Sequence, residues 1–112
     1  MARTKTPPQP RPDIAFISAS RVAEAHTPKF IPVAPELVVE TLSPDDRATQ
    51  VREQTQWWLD HGVQLVWVVD AQNATVRVHL QDDAARTLSR TETLEGDEVL
   101  KGFSLPLSEL FA

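Results

Sequence analysis

The segment 35–70 constrains the fold more than any other part of the chain, because it holds two apolar runs separated by an amphipathic stretch. The runs Leu37–Leu42 and Leu65–Asp70 are short and rich in valine, which is typical of strands buried on both faces. Ser43–Asp46 combines small oxygen-bearing side chains, a proline and acids, and therefore predicts a helix start. Gly62 predicts its end. Strand, helix and strand in this order indicate a parallel pair with a right-handed crossover.

Glu40 interrupts the first apolar run with a carboxylate. An unpaired buried charge is strongly unfavourable, so this side chain needs a cation, a hydrogen-bond donor or a metal beside it. We therefore expect chemistry to be found first at Glu40.

Composition bounds the chain to one domain and sets its electrostatics. With 112 residues and 41% hydrophobic content, the chain can bury one core. The formal net charge is −5, and after residue 11 eight basic residues face sixteen acidic ones. This acidic body argues against a general electrostatic affinity for nucleic acid. With no Cys, no apolar span and no signal peptide, we predict a cytoplasmic protein without disulfides.

The remaining segments predict short elements around the central unit. Residues 1–10 are predicted to be a disordered tail, and 11–112 a single domain. Before the central unit we expect a strand at 11–18, a helical turn at 20–25 and a loop at 26–34. After it we expect strands at 75–80 and 87–91 and a terminal helical turn that covers the sheet edge. One helix face should pack on the sheet: Ala48, Val51, Thr55, Trp58, Leu59 and Gly62. In the turn 71–74, Asn73 is expected to take the positive φ.

Asp13 and Glu40 are the pair of carboxylates worth weighing. On adjacent strands, they could hold a hard divalent cation through oxygen ligands, and such an ion can activate water. The alternative is structural: Asp13 caps a turn after Pro12, and Glu40 pairs with Lys29 or Arg47. Spacing alone favours this structural interpretation.

The three histidines do not have the spacing of a zinc site. His61 lies at a helix C-terminus, where the dipole favours a cation. His79 is predicted on a solvent face. We interpret these two and His26 as structural or surface residues.

Three segments and the tail resemble one known family. They read Arg11-Pro-Asp-Ile-Ala-Phe-Ile17, Pro35-Glu-Leu-Val-Val-Glu-Thr-Leu-Ser-Pro44, Gly62-Val-Gln-Leu-Val-Trp-Val-Val-Asp70 and, at the end, Leu94–Phe111. In this order, with a helix between the second and third, they resemble the Uma-two family. This family belongs to the restriction-endonuclease-like PD-(D/E)XK nuclease superfamily and is also catalogued as a domain of unknown function. The match runs from about Arg11 to the end of the chain.

The resemblance implies a fold, a reaction and a site. The fold is α/β, a restriction-endonuclease-like mixed sheet with a central βαβ unit. The reaction is Mg²⁺- or Mn²⁺-dependent hydrolysis of phosphodiester bonds in DNA. Asp13 and Glu40 match the family's Asp and Glu and are the implied metal ligands. The basic member of the triad, commonly Lys, falls at Gln54, which completes the implied catalytic set.

Two departures from the family pattern predict low or no activity. Gln54 can orient a water or a phosphate, but it carries no charge to stabilise a transition state. Residues 1–10 also stand where relatives begin with further elements, so the resemblance predicts a core without its first helix and strand. An unpaired strand edge favours a homo-oligomer or a partner chain. The alternative function is therefore a non-catalytic association module or remnant of the same fold.

Overall fold

The structure is a computed structural model and describes residues 13–17, 35–81 and 84–112. The predicted tail at 1–10, helical turn at 20–25 and loop at 26–34 lie outside these described residues. Within the described ranges, no helix is long and apolar enough to cross a membrane.

A five-stranded mixed sheet forms the centre of the fold. Its strands are β1 (Ile14–Phe16), β2 (Leu37–Thr41), β3 (Leu65–Asp70), β4 (Thr75–Leu80) and β5 (Arg86–Leu88), side by side in that order. β2 and β3 are parallel, and the other neighbours are antiparallel. The helix α1 (Ala48–Asp60) connects the parallel pair. The prediction of an α/β fold with a central βαβ unit is therefore confirmed.

Alternation along the strands gives the sheet two apolar faces, each with its own core. The face under α1 is buried by a cluster that consists of Val38, Trp58, Val63, Val66 and Val68. The opposite face is buried by a cluster that consists of Leu37, Leu65, Trp67, Val76, Val78, Leu88, Leu94 and Leu107. Strands with apolar residues on both faces read as continuous apolar runs, which explains the valine-rich segments.

The C-terminal segment contains two strands in addition to the predicted terminal helical turn. It forms a second, two-stranded sheet from β6 (Thr93–Glu95) and β7 (Ser104–Pro106), followed by the short helix α2 (Leu107–Leu110). Leu107 is fully buried in the cluster opposite α1, so the segment covers a sheet face. The prediction that it covers the sheet edge is wrong in this respect. Burial of Leu94 and Leu107 accounts for the docking.

The start of α1 corrects the sequence prediction. The Ser43 N–H donates to the Asp46 carboxylate at 2.7 Å, and the Asp46 N–H donates to the Ser43 carbonyl at 3.0 Å. These two bonds close a turn, so Asp46 is not available to cap a helix. The helix begins at Ala48, after an extended Arg47 that makes no side-chain cap. Its end agrees with the prediction, since Gly62 has a φ of 95°.

The turn between β3 and β4 holds a second correction. Ala74, and not Asn73, has the positive φ, at 52°. The Asn73 side chain instead donates to the Asp70 carboxylate at 2.7 Å. Asn73 thus closes the turn through its side chain rather than through its backbone conformation.

Candidate active site

Asp13 and Glu40 lie level with each other on adjacent strands. The antiparallel register of β1 and β2 pairs Ile14 with Val39. Asp13 precedes Ile14 and Glu40 follows Val39, so continuing this register places Asp13 level with Glu40. The Glu40 side chain lies on the face that α1 covers, where it contacts Trp58. The structure therefore brings together the two carboxylates that the sequence singled out.

The Asp13 carboxylate is fixed to the end of β2. Its Oδ2 accepts hydrogen bonds from the Thr41 backbone N–H at 2.6 Å and from the Thr41 hydroxyl at 2.7 Å. Among the described residues the partner of Asp13 is thus on the neighbouring strand, whereas Pro12, which belongs to the turn of the structural interpretation, lies outside the described ranges. One carboxylate oxygen is used in this way, and Oδ1 receives no hydrogen bond from the described residues.

Glu40 is 9% exposed and is held by a tryptophan. Its Oε1 accepts a hydrogen bond from the Trp58 indole N–H at 2.9 Å. Of the cations expected beside it, Lys29 lies outside the described residues, and Arg47 forms no ion pair with Glu40 in the described part of the chain. Sequence reasoning placed Trp58 in the core but missed this bond. The signal was available, since a buried indole N–H needs an acceptor.

The electrostatic environment raises the pKa of Glu40. Burial is the largest cause, and the negative charges of Asp13 and Asp46 add to it, while the Trp58 hydrogen bond acts in the opposite direction. The direction agrees with the expectation that two convergent carboxylates disfavour each other's ionisation. A cation placed between them would relieve this repulsion.

The raised pKa predicts a pH-dependent effect of Glu40→Gln. A carboxyl whose pKa is raised by folding stabilises the fold below its unfolded pKa, and this contribution is lost as the pH rises through the folded pKa. Glutamine keeps an oxygen for the Trp58 N–H and carries no charge. We therefore expect Glu40→Gln to be more stable than the wild type at neutral pH and equally stable at low pH. Urea unfolding from about pH 4 to about pH 8 measures this difference.

The matched control for this measurement is Glu53→Gln, which removes the same charge from the exposed side of α1. It should leave stability nearly unchanged across the range. A stability gap for Glu40→Gln that is constant with pH would contradict the assignment of the cost to an ionised, buried Glu40.

Gln54 lies one helical turn before Trp58 and is half-buried. Residues four apart share a helix face, so Gln54 is on the flank of α1 from which Trp58 reaches Glu40. Among the described residues, no hydrogen bond joins the Gln54 side chain to Asp13 or Glu40. Gln54 is thus near the pair by its helix position, without a direct link.

A divalent metal fits the chemistry of the two carboxylates but would need further ligands. No group of three or more His, Asp or Glu side chains in the described ranges is placed to hold an ion. Each carboxylate accepts hydrogen bonds on one oxygen, and no described residue donates to the other. Mg²⁺ usually keeps several waters and takes only one or two carboxylates, so this pair satisfies its preference.

Two of the three histidines lie in the described residues, and their positions differ. The His61 ring stacks on Trp57 with centroids 3.8 Å apart, and its Nδ1 is 2.8 Å from the Trp57 carbonyl, which is a structural role. His79 is half-buried, so its predicted solvent position is wrong. Burial, followed by the charge of Arg77, lowers the pKa of His79. His26 lies outside the described residues.

A groove of about 450 Å³ opens between α1 and the outer strands, and we call it the α1–β5 groove. Its lining residues are Leu42, Asp46, Ala48, Val51, Arg52, Thr55, Val68, Asp70, Thr75, Arg77, His79 and Thr87. Sequence pattern did not reveal this groove, although alternation along a strand at 75–80 puts Thr75, Arg77 and His79 on one face. This face of β4 carries polar side chains and lies beside α1 rather than beneath it.

The model of the Uma2 (Uma-two) family, described as "Putative restriction endonuclease", matches residues 2–108. The chain belongs to the Uma2 family. This confirms the resemblance drawn from the sequence motifs. A comparison with curated proteins gives no match.

A solved structure supports the Uma2 fold. The chain is similar to the crystal structure of "a putative nuclease belonging to DUF820" from Anabaena variabilis, with 26% identity and a TM-score of 0.65. The similarity covers 71% of this chain and 45% of the other. The chain therefore spans less than half the length of that protein.

Proposed function

We propose that this Uma2 chain is a Mg²⁺- or Mn²⁺-dependent endonuclease domain that hydrolyses phosphodiester bonds in DNA. The observation that carries the proposal is the position of Asp13 directly before β1, level with Glu40 on the neighbouring strand β2. Burial raises the pKa of Glu40 and the charges of Asp13 and Asp46 raise it further, so a cation bound beside these acids would offset their repulsion. The family and the similar nuclease from Anabaena variabilis point to the same reaction class.

Each residue of the proposed site has a separate role. Asp13 and Glu40 would supply oxygen ligands to the metal, which when bound activates water and polarises a phosphoryl group. The Trp58 N–H holds the Glu40 carboxylate in one orientation. Gln54 orients a water or a phosphate oxygen by hydrogen bonding. Because Gln54 is neutral, we expect a low rate.

The test is cleavage of plasmid DNA with Mg²⁺ or Mn²⁺, compared between the wild type and Asp13→Asn. Asparagine keeps an oxygen for the Thr41 donors, so the fold should survive while a metal ligand is weakened. We expect a slow, metal-dependent cleavage that falls at least about 100-fold in the variant. Asp45→Asn removes an exposed carboxylate nearby and should cleave like the wild type. Equal cleavage by all three proteins would overturn the proposal.

Thermal unfolding in the same samples reads out metal binding without activity. Mn²⁺ should raise the melting temperature of the wild type, since a ligand that binds only the folded state stabilises it. The rise should be lost in Glu40→Gln and kept in Glu53→Gln. An unchanged melting temperature at millimolar Mn²⁺, or an equal rise in Glu40→Gln, would remove the metal site.

A second candidate is a non-catalytic association module, and the sheet edge favours it. β1 is a three-residue edge strand of the five-stranded sheet, and its Ile14 side chain is 62% exposed. An edge strand with an exposed apolar residue is a ready site for pairing with a second copy or a partner chain. Sedimentation of the wild type distinguishes the candidates. A stable dimer without metal-dependent cleavage supports association, and a monomer that cleaves DNA excludes it.

A further inference from the structure

The α1–β5 groove has an acidic end and a basic end. Asp70 pairs with Thr75 at the end of β3, next to the loop that carries Asp46. Two residues further along β4, Arg77 lies opposite Val68 on β3 and opposite Thr87 on β5. Arg52 reaches the same groove from α1. Arg77, Arg52 and Thr87 therefore line one groove together with apolar side chains of β3 and α1.

The acids and the arginines in the groove differ in their partners. Asp70 accepts two hydrogen bonds from Asn73, and Asp46 accepts one from the Ser43 N–H. Both carboxylates therefore already have donors. Neither Arg52 nor Arg77 forms an ion pair or a hydrogen bond with another described residue. Their donors remain available to an anion, and guanidinium groups bind phosphate through two parallel hydrogen bonds.

His79 adds a donor to this basic end without adding a charge. It lines the groove two residues beyond Arg77, on the same face of β4. Burial and the charge of Arg77 lower the pKa of His79, so the ring is neutral at neutral pH. A neutral imidazole can donate to a phosphate oxygen without repelling the neighbouring guanidinium.

The position of the groove relates it to the candidate active site. Glu40, Val68 and Arg77 stand in one row across β2, β3 and β4. Neighbouring strands are about 4.8 Å apart, so the backbones of Glu40 and Arg77 are about 10 Å apart. Val68 lies between them and is buried under α1, so a DNA molecule that contacts both the carboxylates and the arginines passes around that helix.

We propose that the α1–β5 groove binds a backbone phosphate of the DNA substrate, with Arg77 and Arg52 as its donors. The inference rests on the proposed function for the choice of DNA, while the phosphate chemistry follows from the groove itself. The chain has an acidic net charge, which repels DNA. In the groove, Arg77 and Arg52 would provide a local positive site that holds the substrate near the two carboxylates. This site also gives Arg77 and Arg52 a role in binding and none in the reacting bond.

The test is binding of a labelled duplex oligonucleotide in EDTA, measured by fluorescence anisotropy over a range of salt concentrations. Arg77→Ala and Arg52→Ala should each weaken binding roughly tenfold. Each should also reduce the slope of log affinity against log salt by about 0.9. Arg90→Ala removes an equal charge from a turn outside the groove and should stay within about twofold of the wild type.

The variants are designed so that loss of fold does not imitate loss of binding. Arg52 lies on the exposed side of a helix, where alanine is the best helix former, so Arg52→Ala should fold. Arg77→Lys keeps the charge on β4 and loses the two-pronged geometry, and should bind between the wild type and Arg77→Ala. Circular dichroism and melting temperature check each protein.

Four results would overturn the inference. They are the absence of oligonucleotide binding by the wild type, equal weakening in all three alanine variants, no weakening in Arg77→Ala and Arg52→Ala, and binding of inorganic phosphate or a mononucleotide, but not of the oligonucleotide, through these arginines. Because EDTA removes divalent metals, this experiment is independent of cleavage. A protein that binds DNA through the groove but never cleaves it contradicts only the proposed function. A metal-dependent nuclease whose affinity ignores both arginines contradicts only the groove.

Discussion

Replacing Trp58 with alanine is expected to lower the free energy of unfolding by about 3–5 kcal/mol, which is a large part of the stability of a domain of this size. The Trp58 side chain is 2% exposed and packs with Val38, Val63 and the other residues of the cluster under α1. Its removal leaves a cavity between the helix and the sheet. It also leaves Glu40 buried without its indole donor. Urea unfolding at neutral pH measures the loss.

Two further variants separate packing from hydrogen bonding. Trp58→Phe keeps an aromatic ring in the cluster and removes the N–H, so we expect a smaller loss of stability. The same change should raise the pKa of Glu40 further, because the indole bond acts against the other causes. Trp57→Ala removes a half-buried ring that stacks on His61 at the edge of the core, and should cost less than Trp58→Ala. Equal losses for the two alanine variants would contradict the central position of Trp58.

The central βαβ unit could be predicted because its signals are local. Apolar runs of five or six residues, a Gly62 stop and helical spacing of Val51, Thr55 and Trp58 depend only on near neighbours in sequence. The start of α1 was misplaced for the same reason. Asp46 can cap a helix or close a turn on Ser43, and sequence pattern alone does not distinguish these uses.

Long-range contacts were beyond the reach of pattern reasoning. The bond from Trp58 to Glu40 joins residues 18 apart, and those from Thr41 to Asp13 join residues 28 apart. Spacing alone favoured a structural role for each carboxylate, and the family resemblance gave more weight to one shared site. Strand register decides such contacts, because a shift of one residue would move Asp13 to the opposite face of the sheet.

The second sheet and the α1–β5 groove were missed for different reasons. β6 and β7 are three residues each, which is too short for a periodic signal, and their pairing depends on burial of Leu94 and Leu107. The groove depends on where α1 stops covering the sheet. The alternation in β4 predicted which side chains share a face, but whether a helix covers that face follows only from packing.

Gln54→Lys is expected to raise the rate of metal-dependent DNA cleavage by roughly 10²–10³-fold, the factor that one preorganised charged donor typically contributes. By the family resemblance, the basic residue falls at Gln54, on the helix flank from which Trp58 reaches Glu40. A lysine there would bring an ammonium group towards both carboxylates and towards the charge that develops on phosphate. Its long stem can lie along the half-buried flank, so the cost in stability should be small.

Two controls connect this gain to the site. Gln56→Lys adds an equal charge on the exposed side of the same helix and should leave the rate unchanged, which separates local chemistry from a general attraction of DNA. Asp13→Asn in the Gln54→Lys protein should abolish the gain, because the ammonium group acts on a phosphate that the metal site must hold. If Gln54→Lys cleaves no faster than the wild type while Mn²⁺ still raises its melting temperature, the charge at position 54 does not limit the reaction. The low rate would then follow from how the substrate is held, which is the property that Arg77 and Arg52 are proposed to control.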